Sequence, residues 1–136
     1  MNIIAFIIPK NEVVFVYDHD TVKEALLKLE THRFTSIPVL NQEGNYIGTL
    51  TEGDLLWNIK NLAKFNMNTA DKMLIKDLKR FRDYETIQMT ASINELITKA
   101  TSENFVPVVD QHGLFIGIVT RKVIINYFFE HNFIVL

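Results

Sequence analysis

The sequence predicts an α/β (α+β) chain of two tandem β-α-β-β-α repeats packed through their sheets as one module. Two observations lead there. The first is a self-match: Ser36 to Thr51 lies over Phe105 to Thr120, with Pro38 on Pro107, Val39 on Val108, Gly44 on Gly113, Gly48 on Gly117 and Thr51 on Thr120, always 69 residues apart. A match at fixed spacing means one supersecondary unit used twice. The second is that both copies read, in the same order, as strand, helix, two short strands and helix.

In the first copy, Val13 to Tyr17 is β-branched and aromatic, a strand closed by Asp18-His19-Asp20. Val22, Ala25, Leu26 and Leu29 recur at helical spacing behind Asp20 or Thr21 as the cap, which predicts an amphipathic helix over about 21–32. Ile93, Leu96, Ile97 and Ala100 repeat that stripe. The apolar runs Ile37 to Leu40 and Tyr46 to Leu50 flank the turn-rich Gln42-Glu43-Gly44-Asn45, a hairpin signal that Val106 to Val109 and Phe115 to Val119 match. A second helix, about Glu52 to Leu62 or Arg121 to Glu130, ends each copy. Between the copies, Lys64 to Thr69 reads as loop and Ala70 to Leu74 as a helical turn. The apolar opening from Met1 to Ile8 breaks at Pro9-Lys10, too short to span a membrane, and reads as a buried strand or arm. The expected division is 1–66 for the first repeat with its N-terminal arm and 67–136 for the linker and second repeat.

Composition bounds the function. With 136 residues, neither half buries enough apolar surface alone, so the halves are expected to share a core. The chain is 48% hydrophobic and 22% charged, with a net charge of −2, which is a globular composition and not that of a general nucleic-acid binder. The lack of cysteine excludes disulfides, thiolate zinc sites and cysteine nucleophiles, and suits a reducing, cytoplasmic compartment. His19, His32, His112 and His131 show no ligand spacing, so no metal site is expected. Nucleophile-elbow, phosphate-loop and zinc-protease motifs are missing, and no enzyme activity is expected.

Gly48-Thr49-Leu50-Thr51-Glu52-Gly53-Asp54 resembles the motif of the cystathionine beta-synthase (CBS) domain: Gly, two hydrophobic-like positions, Ser or Thr, two variable positions and Asp. The β-α-β-β-α order, the Ile37-Pro38-Val39 strand start and the tandem repetition are that family's as well, so the resemblance covers the whole chain. It implies two clefts that take AMP, ADP, ATP, S-adenosylmethionine or cyclic di-AMP, a homodimer, and regulation of an unidentified protein effector on another chain. The ligand would be regulatory, with no cofactor. The alternative from another class is a structural dimerisation module with degenerate clefts.

The motif residues suit that chemistry. Thr51 stands where a strand becomes a helix, so its hydroxyl and the first free N–H groups can face a phosphate, with Gly48 and Gly53 keeping the approach open. One turn on, Asp54 would accept both ribose hydroxyls, as the matching family residue does. Thr51-x-x-Asp54 also resembles a capping box, which needs no ligand. The second motif keeps Gly117 and Thr120 but has Val123 in place of the Asp, which argues against a ribose clamp there. Thr120-Arg121-Lys122 is similar instead to a segment of CBS proteins that bind cyclic di-AMP, and its two cations in a first helical turn oppose the macrodipole unless an anion is near. Solvated surface is the bland reading of that pair. By family position Ile37, Phe105 and Val106 would line an adenine slot or be plain core, and Ile8-Pro9-Lys10, Val13 and the stretch Arg82 to Ile87 are strand entries that would line the clefts. Lys76, Lys79, Arg80 and Arg82 could extend a positive field toward phosphates or toward an acidic partner, but with Asp77, Asp83 and Glu85 interleaved they read more safely as a mixed solvated surface. Trp57, Phe65, Phe128, Phe129 and Phe133 gather on or after the second helices, the face through which such modules pair.

Overall fold

The structure is a computed structural model that describes residues 3–62, 66–80 and 83–131. It holds two compact units, one of residues 14–83 and one of residues 1–13 with 84–136. Each follows the β-α-β-β-α order read from the sequence, and each is described by itself.

In the unit of residues 14–83, β2 (Val16–Tyr17) runs parallel to β3 (Ser36–Leu40), and β3 forms an antiparallel hairpin with β4 (Tyr46–Thr51). A parallel pair needs a crossover, and α1 (Val22–His32) supplies it. The Thr21 side chain caps α1 by accepting the Glu24 N–H at 3.2 Å, and Arg33 ends it in the left-handed region at φ 56°. The hairpin turn is built by Asn41, whose Oδ1 accepts the N–H groups of Glu43 and Asn45, and by Gly44 at φ 89°, a conformation that glycine adopts without strain. The second helix, α2 (Glu52–Lys60), follows β4 without a loop. Val22, Ala25 and Leu29 of α1 and Leu55 of α2 pack on Val16, Ile37, Val39 and Leu50 of the sheet.

The other unit repeats this plan. Its sheet runs β1 (Ile8–Pro9), β7 (Phe115–Thr120), β6 (Phe105–Val109), β5 (Ile87–Gln88), with β5 and β6 parallel across α4 (Ile93–Ala100) and α5 (Arg121–Glu130) following β7. Asp110 Oδ1 accepts from His112 and Leu114 N–H, and Gly113 sits at φ 83°, so the two hairpin turns share one chemistry.

The division differs from the expected boundary at residue 66. Each unit completes its core with a segment that the periodicity assigned elsewhere. Residues 67–83 join the first repeat: α3 (Met67–Ala70) starts three residues before the expected turn, and Ala70, Ile75 and Leu78 are buried against α1 and the sheet. The N-terminal arm joins the second repeat, where Ile3 and Phe6 are buried and β1 pairs antiparallel with β7, Ile8 opposite Ile118 and Pro9 opposite Gly117. The first strand is shorter than read, two residues rather than five, because only Val16 and Tyr17 find partners on β3. Met1, Asn2, Lys64, Phe65, Arg82 and Phe133, which the sequence reading includes, lie outside the described residues.

The approach of β1 to β7 is close enough that a Cβ on Gly117 would overlap the Ile8 carbonyl and lie 2.8 Å from Ile7 Cγ2. Backbone cannot yield as a flexible side chain can. Gly117→Ala is therefore expected to destabilise the protein by about 1–3 kcal/mol and to raise amide exchange at Ile7 and Ile8, read by thermal unfolding and hydrogen exchange. An unchanged melting temperature would show that the arm does not lie on β7.

Candidate functional site

At the β4–α2 joint the motif residues converge. Thr51 is the N-cap of α2, its Oγ1 accepting the Asp54 N–H at 3.0 Å while Asp54 Oδ2 accepts the Thr51 N–H at 3.0 Å. The capping box weighed from the sequence is thus formed. Asp54 is only 4% exposed. It nevertheless lines a cavity of about 250 Å³ together with Trp57, Asn58, Asn61, Lys79 and Arg80.

The linker supplies the cations of this cavity, which sequence reasoning set aside as mixed surface. Asn58, one turn beyond Asp54 on α2, holds the linker there. Its Nδ2 donates to the Asp54 carbonyl at 2.7 Å and to the Lys79 carbonyl at 2.8 Å, and its Oδ1 accepts the Lys79 N–H at 3.2 Å. A side-chain amide that pairs with a backbone amide in both directions fixes the register of that segment. Arg80 comes next in the chain. Its Nε donates to Asp83 Oδ1 at 2.8 Å and its Nη2 to Asp83 Oδ2 at 3.4 Å and to the Ile47 carbonyl at 3.5 Å. The hydrogen bond to Asp83 holds the Arg80 guanidinium above its ordinary pKa; burial opposes this, and the charges of Asp83, Tyr46 and Asp54 add to it.

Gly48 is read from the sequence as the residue that keeps the approach to Thr51 open. In the structure its own face is covered by the linker pair: a Cβ there would fall on the Asp83 carboxylate and 2.7 Å from Arg80 Nε. Gly53, given the same role, would place a Cβ no closer than 3.7 Å, on Thr51 Oγ1, so the fold itself has room for a larger residue there. Ile37 is fully buried in β3 and belongs to the core of its unit.

In the other unit Thr120 caps α5 by accepting the Val123 N–H at 3.2 Å, and Val123 leaves no carboxylate to complete a box. The Arg121 side chain turns away from its own helix. Its Nε donates to the carbonyls of Ala100 at 3.1 Å and Glu103 at 3.0 Å, at the C-terminal end of α4, where a cation meets the favourable pole of the helix dipole. The cost expected of a cation in the first turn of α5 is thus met by α4, with no anion required. Lys122 is exposed, Phe105 and Val106 are buried core on β6, and Lys10 begins a 3-10 turn after β1. Among the described residues no group of three or more His, Asp and Glu is placed to hold a metal, and no helix is long and apolar enough to cross a membrane.

The CBS domain profile matches the chain twice, over residues 7–61 and 75–130. The chain belongs to the CBS-domain family. One match covers most of each repeat, so the protein carries a tandem CBS module of mixed α/β fold. The structure of a CBS domain protein from Streptococcus pneumoniae is similar, with a TM-score of 0.82 and 25% identity over 95% of this chain and 87% of that one. CbpB from Listeria monocytogenes, solved in complex with c-di-AMP, is similar with a TM-score of 0.81 and 24% identity over 96% of this chain and 97% of that one. At that identity the likeness is one of fold. Among curated proteins, a homoserine O-acetyltransferase of Methanococcus vannielii is 27% identical over 82% of the chain, and an uncharacterized protein of Methanopyrus kandleri 24% over 88%. The chain spans 22% of the first relative and 59% of the second.

The two basic residues of the second CBS motif differ in their partners. Arg121→Ala is expected to lower stability by about 1–2 kcal/mol, since two carbonyls at a helix end lose a charged donor, while Lys122→Ala should stay within about 0.5 kcal/mol. Urea unfolding with an unchanged slope would measure both. Equal effects of the two substitutions would exclude the α4 role of Arg121.

Proposed function

We propose that this CBS module is a sensor that binds an adenine nucleotide and regulates a separate protein, with no catalytic step of its own. The observation that carries the reading is that the buried Asp54 lines one cavity with Lys79 and Arg80. A carboxylate offers about four lone-pair directions, more than the capping bond to the Thr51 N–H uses. A vicinal diol on a sugar that also carries a phosphate is the nucleotide pattern, and Asp54 beside Lys79 and Arg80 offers an acceptor for the one and cations for the other. The Listeria protein of the same fold binds c-di-AMP, which supports the adenine class of ligand, and AMP, ADP, ATP and S-adenosylmethionine share the ribose that this site would read.

Thr51 and Asp54 form the proposed ribose site, with Gly48 beside the Arg80–Asp83 pair and Ile37 in the core of the same unit. Thr120, Arg121, Lys122, Val106 and Lys10 would make at most a second, weaker site, since Val123 offers no acceptor and Arg121 is engaged by α4. Binding would act by favouring one arrangement of the module over another, which needs a difference in affinity between the two.

A second copy of the chain is the proposed partner of the second helices. Leu56 on α2 and Ile125 on α5 are repeat equivalents, and each is 58% exposed. Trp57 and Phe129 are exposed beside them, while Phe128 packs on its core. The same apolar position offered by both repeats is what a self-complementary interface uses.

Isothermal titration of ligand-free protein with AMP, ATP, S-adenosylmethionine, cyclic di-AMP and GMP is expected to show selective binding of an adenine compound. Asp54→Ala should weaken it about tenfold or more, as the loss of charged hydrogen bonds does, and should cost about 0.5–2 kcal/mol of stability as a broken cap. Affinity within twofold of the parent would remove the ribose role. For the partner, Leu56→Glu with Ile125→Glu is expected to halve the mass found by light scattering on a sizing column. A parent protein that runs as a monomer would rule out the pairing.

A further inference from the structure

Strand β4 is an edge strand, and its outer edge is covered differently from that of its repeat equivalent. Along β7 lies backbone, the short strand β1, whose Ile8 carbonyl closes on Gly117. Along β4, among the described residues, no strand pairs on the outer side. A side-chain carboxylate takes that place: Asp83 Oδ1 accepts the Thr49 N–H at 3.1 Å and the Arg80 Nε–H at 2.8 Å over the bare face of Gly48.

One anion is therefore held by one backbone N–H and an arginine fork, the donor set that recognises a phosphate as readily as a carboxylate. Asp83 is the open member of the pair: its side chain is 40% exposed against 18% for Arg80, so the carboxylate can turn to solvent while the guanidinium stays in place. Arg80 is also a wall of the cavity that holds Asp54 and Lys79, which at about 250 Å³ is smaller than a whole-ligand pocket and suits a sugar phosphate.

Resting on the adenine-nucleotide reading above, we propose that Asp83 is an internal stand-in for the ligand's phosphate: Arg80 is the phosphate-binding residue of the first repeat, and an incoming phosphate displaces the Asp83 carboxylate from Arg80 and the Thr49 N–H. The linker that carries Asp83 is thereby released when a nucleotide binds and stays docked when a bare nucleoside binds. Charge at the phosphate end, and not the base alone, then decides whether the linker moves.

The test uses the whole chain and three probes, AMP, adenosine and inorganic pyrophosphate, with the Thr49 amide signal in a nitrogen-15 correlation spectrum as the local reporter. Arg80→Gln is expected to weaken AMP and pyrophosphate about tenfold or more and to leave adenosine within twofold, with Arg80→Lys recovering part of the loss. Asp83→Asn, which keeps an acceptor for Thr49 but no charge, is expected to tighten AMP and pyrophosphate by about two- to fivefold. The Thr49 amide should shift with AMP and pyrophosphate and not with adenosine. Equal losses for AMP and adenosine in Arg80→Gln, weaker AMP binding in Asp83→Asn, or no Arg80-dependent binding of either phosphate probe would overturn the proposal. Arg80-dependent binding of pyrophosphate without any binding of adenosine would sustain it and remove the adenine reading instead.

Discussion

Each repeat is too small to close its own core, and the rest of the structure follows from that constraint. A β-α-β-β-α unit of this length has one sheet and two helices, and its apolar face outruns what those elements cover. Ala70, Ile75 and Leu78 complete one core and Ile3 and Phe6 the other. The completing segment must cross the hairpin at its outer strand, and a glycine stands there in both repeats because the crossing chain occupies the space of a Cβ. Gly48 and Gly117 thus read the same in sequence and serve the same need, although one faces an ion pair and the other a carbonyl.

That difference separates the two CBS repeats in chemistry. Where β1 lies along β7, the edge meets backbone. Where Asp83 and Arg80 lie along β4, it meets an ion pair. The same division runs through the helix starts. Asp54 completes a capping box and lines a cavity with Lys79 and Arg80, while Val123 packs on a core, and Glu52 stands where the second repeat has Arg121 reaching to α4. The polar residues of the proposed nucleotide site are gathered in the first repeat, and the second uses the matching positions for packing and helix capping.

The fold was legible because its signals are local and repeated. The period of 69 residues, the Asn41 and Asp110 turns with Gly44 and Gly113, and the helical stripes of α1 and α4 each rest on a few adjacent residues. Of the site, Thr51 and Asp54 were legible for the same reason, being three residues apart. Arg80 and Asn58 were not. Asn58 finds Lys79 21 residues away and Arg80 reaches the Ile47 carbonyl 33 residues away, and no periodicity reports a pairing across a linker.

By itself the sequence determined the family, the order of elements, the hairpin chemistry and the loss of the carboxylate at Val123, because each depends on residue type at short spacing. Tertiary structure alone decided which segment completes which core, that Arg121 serves the end of α4, and that Arg80 stands beside Asp54. Those outcomes depend on where a chain finds space and an unpaired carbonyl or N–H, quantities that exist only once the backbone has folded.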